Sequence, residues 1–198
     1  MGGSDLIKIM LIGFLVLALP LAVAVSAIAV LVAILVSGIV SNAHGTPYVP
    51  IKRKYIRPIL LWADLSANDI FYDLGCGDAR VLISAVKDFG IKKATGFEVA
   101  PWSYLEARFV LGFSTTTNRI RIIRRNFFKA NLSDASFIYA YLFPEPIDRL
   151  AYKLEKELVI GSKILCPSFP IDLVRHPEFK LLKSAKFDKI TAYLYEKL

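Results

Sequence analysis

The residues best placed for chemistry stand in "FYDLGCGDARVL", positions 71–82, and in "GFEVAP", positions 96–101. An apolar run ending at Asp73 passes into Gly75-x-Gly77 and then into a helical pattern. Glycines at such a point let the backbone turn sharply and approach a ligand closely. The helix start beyond them offers free N–H groups. About 20 residues after Gly77, Glu98 closes a second apolar run, where a carboxylate accepts both hydroxyls of a ribose. Together these residues predict a nucleoside lying across the carboxyl ends of two strands. A dinucleotide is disfavoured. Its third glycine would fall at position 80, which is Arg80, and that glycine is what lets helix and strand pack tightly. Asp73 would also repel a pyrophosphate, whereas it suits a cationic amino-acid group.

The elements that must position these residues follow from hydrophobic periodicity. Strands are predicted at Ile70–Leu74, Lys93–Phe97, Arg119–Arg124, Ser136–Leu142 and Lys163–Phe169, with helices at Ala79–Phe89, Pro101–Leu111 and Glu145–Leu158. A short helix is expected in "YIRPILLWADL" despite Pro58. Alternation of this kind argues for a parallel sheet covered by helices on both faces. The run at 136–142 is apolar on both faces, as a central strand should be. Phe179–Lys183 and Ile190–Tyr195 are joined by a short connection and predict an antiparallel pair at the end of the chain.

Of the 198 residues, 55% are hydrophobic, yet the formal net charge is +8. The two properties lie in different places. No Lys, Arg, Asp or Glu occurs between Lys8 and Lys52, so the excess positive charge all follows residue 50. This apolar content excludes a disordered chain. Two cysteines, Cys76 and Cys166, do not make a disulfide scaffold, and with His44 and His176 they do not make a structural zinc site, so no metal site is expected. Ile9–Val40 exceeds the roughly 20 apolar residues a bilayer crossing needs. It also exceeds the usual apolar core of a cleaved signal peptide, although Ser41-Asn42-Ala43 has a small-x-small pattern. The expected organisation is a tail over 1–8, a transmembrane helix over 9–40, a linker over 41–50 and a catalytic domain over 51–198. Lys52, Arg53, Lys54 and Arg57 follow the span and place that domain on the cytoplasmic side. The same cluster suits anionic headgroups. Arg119, Arg121, Arg124 and Arg125 invite a nucleic-acid reading, but charge on a sheet edge explains them as well.

"DLGCGDAR" followed by "GFEVAP" resembles the first two motifs of class I S-adenosylmethionine-dependent methyltransferases, over residues 70–168. "PYVPIKRKYI", "NFFKANLSDASFIYAYLFPE" and the apolar N-terminal stretch narrow the resemblance to small membrane-anchored protein-lysine methyltransferases. That family includes mitochondrial enzymes acting on the nucleotide translocase and the ATP synthase ring, and prokaryotic relatives. The chain departs from the pattern at Ala79, where glycine is common, and at Ile51, where threonine is frequent.

The resemblance implies a seven-stranded Rossmann-like methyltransferase sheet behind one transmembrane helix, with S-adenosyl-L-methionine as cofactor. It implies that Asp73, Gly75 and Gly77 line the methionine part, Glu98 binds the ribose, and Asn126 and Phe127 sit beside adenine. Phe127 alternatively fills the core. Tyr48 would close over the cofactor. Tyr141 would hold the target amine and Phe143 would wall its channel. Glu145 either attracts the lysine or favours the next helix's N-terminus. The partners implied are the bilayer and a membrane-protein substrate. A nucleic-acid substrate is not expected, since the Asn-Pro-Pro-Tyr motif is absent. A lipid or small-molecule acceptor, or a non-catalytic cofactor-binding role, are the alternatives.

Overall fold

The computed structural model describes residues 2–43, 49–115 and 117–198. The chain divides into two units, residues 1–36 and residues 37–198.

Residues 3–36 of the first unit belong to one helix, α1 (Gly3–Ala43), which continues through Pro20. Over Met10–Ser41 it is 32 residues long and apolar, and its most apolar 18-residue window is not packed into a protein core. At 1.5 Å per residue that is about 48 Å, more than the roughly 30 Å of a bilayer's hydrocarbon layer. The helix extends past the apolar run at both ends. Its last turns belong to the second unit, where Ser37 and Ser41 are buried. The Trp102 backbone N–H donates to Ser37 Oγ at 2.6 Å, which accounts for helix where the sequence predicts the start of a linker.

The second unit is built on one seven-stranded sheet. In chain order its elements are α2 (Arg53–Trp62), β1 (Ile70–Leu74), α3 (Arg80–Phe89), β2 (Lys93–Glu98) and α4 (Pro101–Gly112), then β3 (Ile120–Arg124), β4 (Phe137–Tyr139), α5 (Pro144–Glu157), β5 (Lys163–Pro167), β6 (Phe179–Phe187) and β7 (Ile190–Lys197). The spatial order is β3-β2-β1-β4-β5-β7-β6. The first five strands are parallel. β7 runs antiparallel to both β5 and β6. The expected α/β class, helices on both faces and antiparallel tail are all present. The arginine-rich β3 is an edge strand, as its charge suggests.

Right-handed crossovers put α3 and α4 on one face and α5 on the other. One core layer joins α2, α3 and α4 to the sheet through Ile59, Leu60, Leu82, Ala85 and Ala107. The other buries Ile147, Leu150, Ala151 and Leu154 of α5 against Ile138 and Ile164. Strand order reverses between β1 and β4, where an open α/β sheet leaves a crevice at its carboxyl ends.

Two elements differ from the sequence expectation. β4 is only Phe137–Tyr139 rather than 136–142. The Ala140 N–H still donates to the Leu165 carbonyl at 2.9 Å, but Pro144 then opens α5. A residue before proline is pushed out of the helical region, and Phe143 is extended at φ −72, ψ 166. The apolar run continues because Tyr141 and Leu142 line a cleft, not because they belong to the sheet. The tail strands are longer than expected, and an irregularity between Leu181 and Lys183 shifts their register by one residue.

Candidate functional site

The loop after β1 holds three left-handed residues: Gly75 at φ 86, Gly77 at φ 52 and Ala79 at φ 66. The first two need glycine's freedom. Ala79 adopts the same region with a Cβ, at the N-cap of α3 and fully buried. The Gly75 and Cys76 N–H groups both donate to the Phe97 carbonyl, at 2.9 and 3.0 Å. The loop thus lies directly on β2, and Gly96 makes room for it. A Cβ there would stand 2.6 Å from both Cys76 Sγ and Leu82 Cδ1. Behind the loop the Arg80 guanidinium grips Asp78, with Nη2 2.7 Å from Oδ2. Arg80 Nη1 also donates to the Ile51 carbonyl at 2.9 Å.

Glu98 ties the loop to the end of β2. Its Oε2 accepts from the Gly77 N–H at 3.0 Å and its Oε1 from the Ala100 N–H at 2.8 Å. Burial pushes its carboxyl above the ordinary range, while these N–H groups oppose the rise. Asp73 is 2% exposed, and its Oδ2 has no hydrogen-bond partner. Burial is the main cause that lifts its carboxyl well above the usual value, followed by the charges of Glu98 and Asp78. Tyr139 pairs in register with Asp73 on the neighbouring strand. Its hydroxyl is likewise buried without a partner and raised by burial, then by Asp73. Among the described residues these are the two buried side-chain polar atoms left unsatisfied. Such groups cost stability unless something meets them.

Both face one cleft of about 790 Å³, open side included, at the β1/β4 crevice. Asp73, Gly75, Gly77, Glu98, Asn126, Phe127 and Tyr141 all line it. Asn126 Oδ1 accepts the Phe128 N–H at 2.9 Å and so caps a short turn. Phe127 is 6% exposed and its ring lies 4.5 Å from that of Phe128. Phe143 and Glu145 are not part of the cleft lining. Phe143 stacks on Phe169 at 6.0 Å. Glu145 is exposed in the first turn of α5, 3.7 Å from Arg149. Tyr48 lies outside the described residues. Sequence reading missed Tyr139, and also Val49, Pro50 and Ile51, which wall the cleft. The available signal for Tyr139 was a hydroxyl two residues before Tyr141 in a run otherwise largely apolar.

The arrangement is a negative floor with an unmet carboxylate, a second carboxylate at the end of β2 and an aromatic wall. It suits a cationic, ribose-bearing ligand. S-adenosylmethionine carries an ammonium group, a sulfonium, a ribose and adenine, so the residues present fit it.

Comparison with known proteins agrees. The family model described as "ANTKMT methyltransferase domain" matches residues 73–178. A protein-lysine N-methyltransferase of Saccharolobus islandicus is 40% identical over 131 residues, 66% of this chain and 81% of that one. The mouse adenine nucleotide translocase lysine N-methyltransferase is 29% identical over 99 residues, 50% of this chain and 43% of that one. Among solved structures, an RNA methyltransferase of Salinibacter ruber in complex with S-adenosyl-L-homocysteine superposes with a TM-score of 0.68 at 24% identity, covering 75% of this chain and 94% of that one. At that identity the likeness is one of fold. With more than half its length matched by the family and such a relative beside it, this chain belongs to the ANTKMT methyltransferase family and is an S-adenosylmethionine-dependent enzyme.

Proposed function

We propose that the chain is a protein-lysine N-methyltransferase held in a membrane by α1, with a membrane-borne protein as its acceptor. The observation that carries the site assignment is the unpartnered pair, Asp73 Oδ2 and the Tyr139 hydroxyl, facing one cleft. The lysine acceptor is supported by the 40% identical relative, which is named for that activity. The membrane reading is supported by the apolar stretch Met10–Ser41. The basic cluster after it favours residues 51–198 on the cytoplasmic side.

In this reading Asp73 receives the ammonium group of the cofactor, in a charge-assisted hydrogen bond. Gly75 and Gly77 bring backbone close to the methionine part. Glu98 keeps its two backbone partners and accepts the ribose hydroxyls with its remaining lone pairs. Asn126 and Phe127 flank adenine. Bound S-adenosylmethionine supplies an electrophilic methyl group. The chain's task is to present a neutral amine in line with it, and positioning alone supplies much of such a rate.

A lysine amine has a pKa near 10.4, so stripping its proton at pH 7 costs about 4–5 kcal/mol. Enclosure by Leu142 and aromatic rings lowers that cost by disfavouring the charged form. The hydroxyls of Tyr139 and Tyr141 accept the amine's N–H bonds and aim its lone pair. Phe143 and Glu145 stand on the acceptor's approach rather than beside the reacting atoms.

The test is incubation of membranes containing the full chain with methyl-tritiated S-adenosylmethionine. Methyl-lysine recovered from a protein band supports the reading. Label confined to the lipid extract assigns a lipid acceptor, and no transfer at all leaves a cofactor-binding protein. Tyr139→Phe is expected to leave cofactor affinity unchanged while slowing transfer about 10- to 100-fold, the loss of one hydrogen bond to the amine. A variant at full rate removes Tyr139 from the reaction.

A further inference from the structure

Helix α4 is apolar on two opposite faces. Ser103, Ala107 and Leu111 are buried on its sheet side. On the outer side Trp102 is half-buried, and Leu105, Phe109 and Phe113 are 57%, 69% and 80% exposed. With about 100° between successive residues, these four fall in one stripe. Glu106 and Arg108 border it, one on each side. The Phe109 and Phe113 rings meet edge to face at 5.0 Å, so each covers little of the other. A row of large exposed apolar side chains on a folded domain marks a surface that meets an apolar phase.

Two further observations identify that phase. Phe113 also lines a groove between α2, α3 and α4 that holds Arg53, Arg57 and Lys87, all exposed, against one acid, Asp88. That acid already accepts the Ser84 hydroxyl at 2.6 Å. The fourth basic group there, Arg80, is gripped by Asp78. At the opposite end of the stripe, the Trp102 N–H donates to Ser37 Oγ, and Ser37 belongs to the apolar stretch Met10–Ser41. The stripe therefore starts beside Ser37 and ends at a basic groove.

We propose that this face is a second membrane contact, taking the headgroup and upper acyl layer of an anionic bilayer. It rests on the reading that α1 spans the membrane. Trp and Phe in a row favour the interfacial layer. Arg53, Arg57 and Lys87 beside them meet anionic headgroups. A second copy of the chain fits poorly, since a symmetric pairing would bring these cations together. With this face on the bilayer and Ser41 lining the cleft, the acceptor lysine is expected close to the membrane surface.

Both native cysteines are buried, so single exposed cysteines can be labelled in the full chain. We would introduce Leu105→Cys, Phe109→Cys and, as a control far along the chain, Val174→Cys, where the side chain is 92% exposed. Each is labelled with bimane and reconstituted in phosphatidylcholine vesicles with or without one third phosphatidylglycerol. Nitroxide lipids labelled in the upper acyl chain serve as quenchers. The expected result is several-fold stronger quenching at positions 105 and 109 than at 174 in the anionic vesicles, reduced by Arg57→Gln with Lys87→Gln. Equal quenching at all three positions overturns the proposal. So does quenching that the two charge-removing substitutions leave unchanged, or a signal at 109 that depends on protein density, which means contact between copies. Alkaline carbonate extraction reads α1 separately. A chain that resists extraction while positions 105 and 109 stay unquenched refutes only the α4 contact; a chain that is extracted refutes the spanning helix.

Discussion

Asp73→Asn should make the ligand-free chain more stable and its cofactor binding weaker, which few substitutions at a buried polar site do. The wild-type carboxylate is buried, has an oxygen with no partner and lies near Glu98 and Asp78. Asparagine keeps the shape and removes the charge. Relieving an unmet buried charge is worth about 1–3 kcal/mol. In a domain of this size that raises the melting temperature by roughly 2–4 °C per kcal/mol. The gain depends on pH in a definite direction. The folded pKa of Asp73 lies above its unfolded value of about 3.9. Its contribution is therefore intact below that value and is lost as pH rises through the folded pKa, by at most about 1.4 kcal/mol per pH unit. Wild type and variant should melt together near pH 4 and separate as pH rises. Binding moves the other way. Losing a hydrogen bond to a charged group, about 1.5–3 kcal/mol, weakens S-adenosylmethionine binding about 10- to 150-fold in calorimetry. A variant that melts lower at neutral pH and binds the cofactor like wild type would refute the reasoning, and would make Asp73 a structural acceptor.

Ala79→Gly should stabilise the chain. An alanine held left-handed costs about 1–2 kcal/mol, glycine's extra freedom when unfolded returns about 0.5–1, and denaturant titration should show a gain of about 0.5–1 kcal/mol. Gly96→Ala should do the reverse, because its Cβ would press on Cys76 and Leu82. We expect a loss of about 1–3 kcal/mol together with weaker cofactor binding, since the glycine loop rests on that spot; unaltered binding would show that the loop yields freely. His176 is fully buried with its ring nitrogens 3.0 Å from Glu155 and 3.2 Å from Asp148. His176→Ala should cost about 2–4 kcal/mol by emptying a packed site and removing the ring's hydrogen bond to Glu155, while Asp148 keeps Arg175 at 2.7 Å, with cofactor affinity in the folded protein unchanged.

What could be read from the sequence was what is decided locally. Gly75, Gly77 and the acid ending β2 stand at a spacing that a strand–loop–helix turn dictates, and the structure places them together. The antiparallel tail was legible because the sequence leaves only residues 184–189 between its two runs, too few for a parallel crossover; in the structure only Asp188 and Lys189 separate the strands. Tyr139 was not legible because its position depends on the pairing of β1 with β4, and the surrounding apolar run reads as core. Phe143 and Glu145 follow Tyr141 so closely that sequence suggests one site. Pro144 begins a helix between them, which takes Glu145 to the surface. The end of α1 escaped the reading as well, since Ser41-Asn42-Ala43 looks like a boundary until Ser37 is seen to accept the Trp102 N–H.

The hydrogen bond from Arg80 to the Ile51 carbonyl decides where this enzyme can be cut. α2 begins at Arg53, and a fragment designed from secondary structure would start there. Such a fragment takes away a partner of the guanidinium that also grips Asp78, next to the glycine loop, and it removes the buried Ile51 side chain. Within the second unit the support of the glycine loop thus starts upstream of α2, at a main-chain carbonyl. A fragment freed of the apolar helix has to retain the chain from about Val49 onward if it is to hold the nucleoside loop in shape.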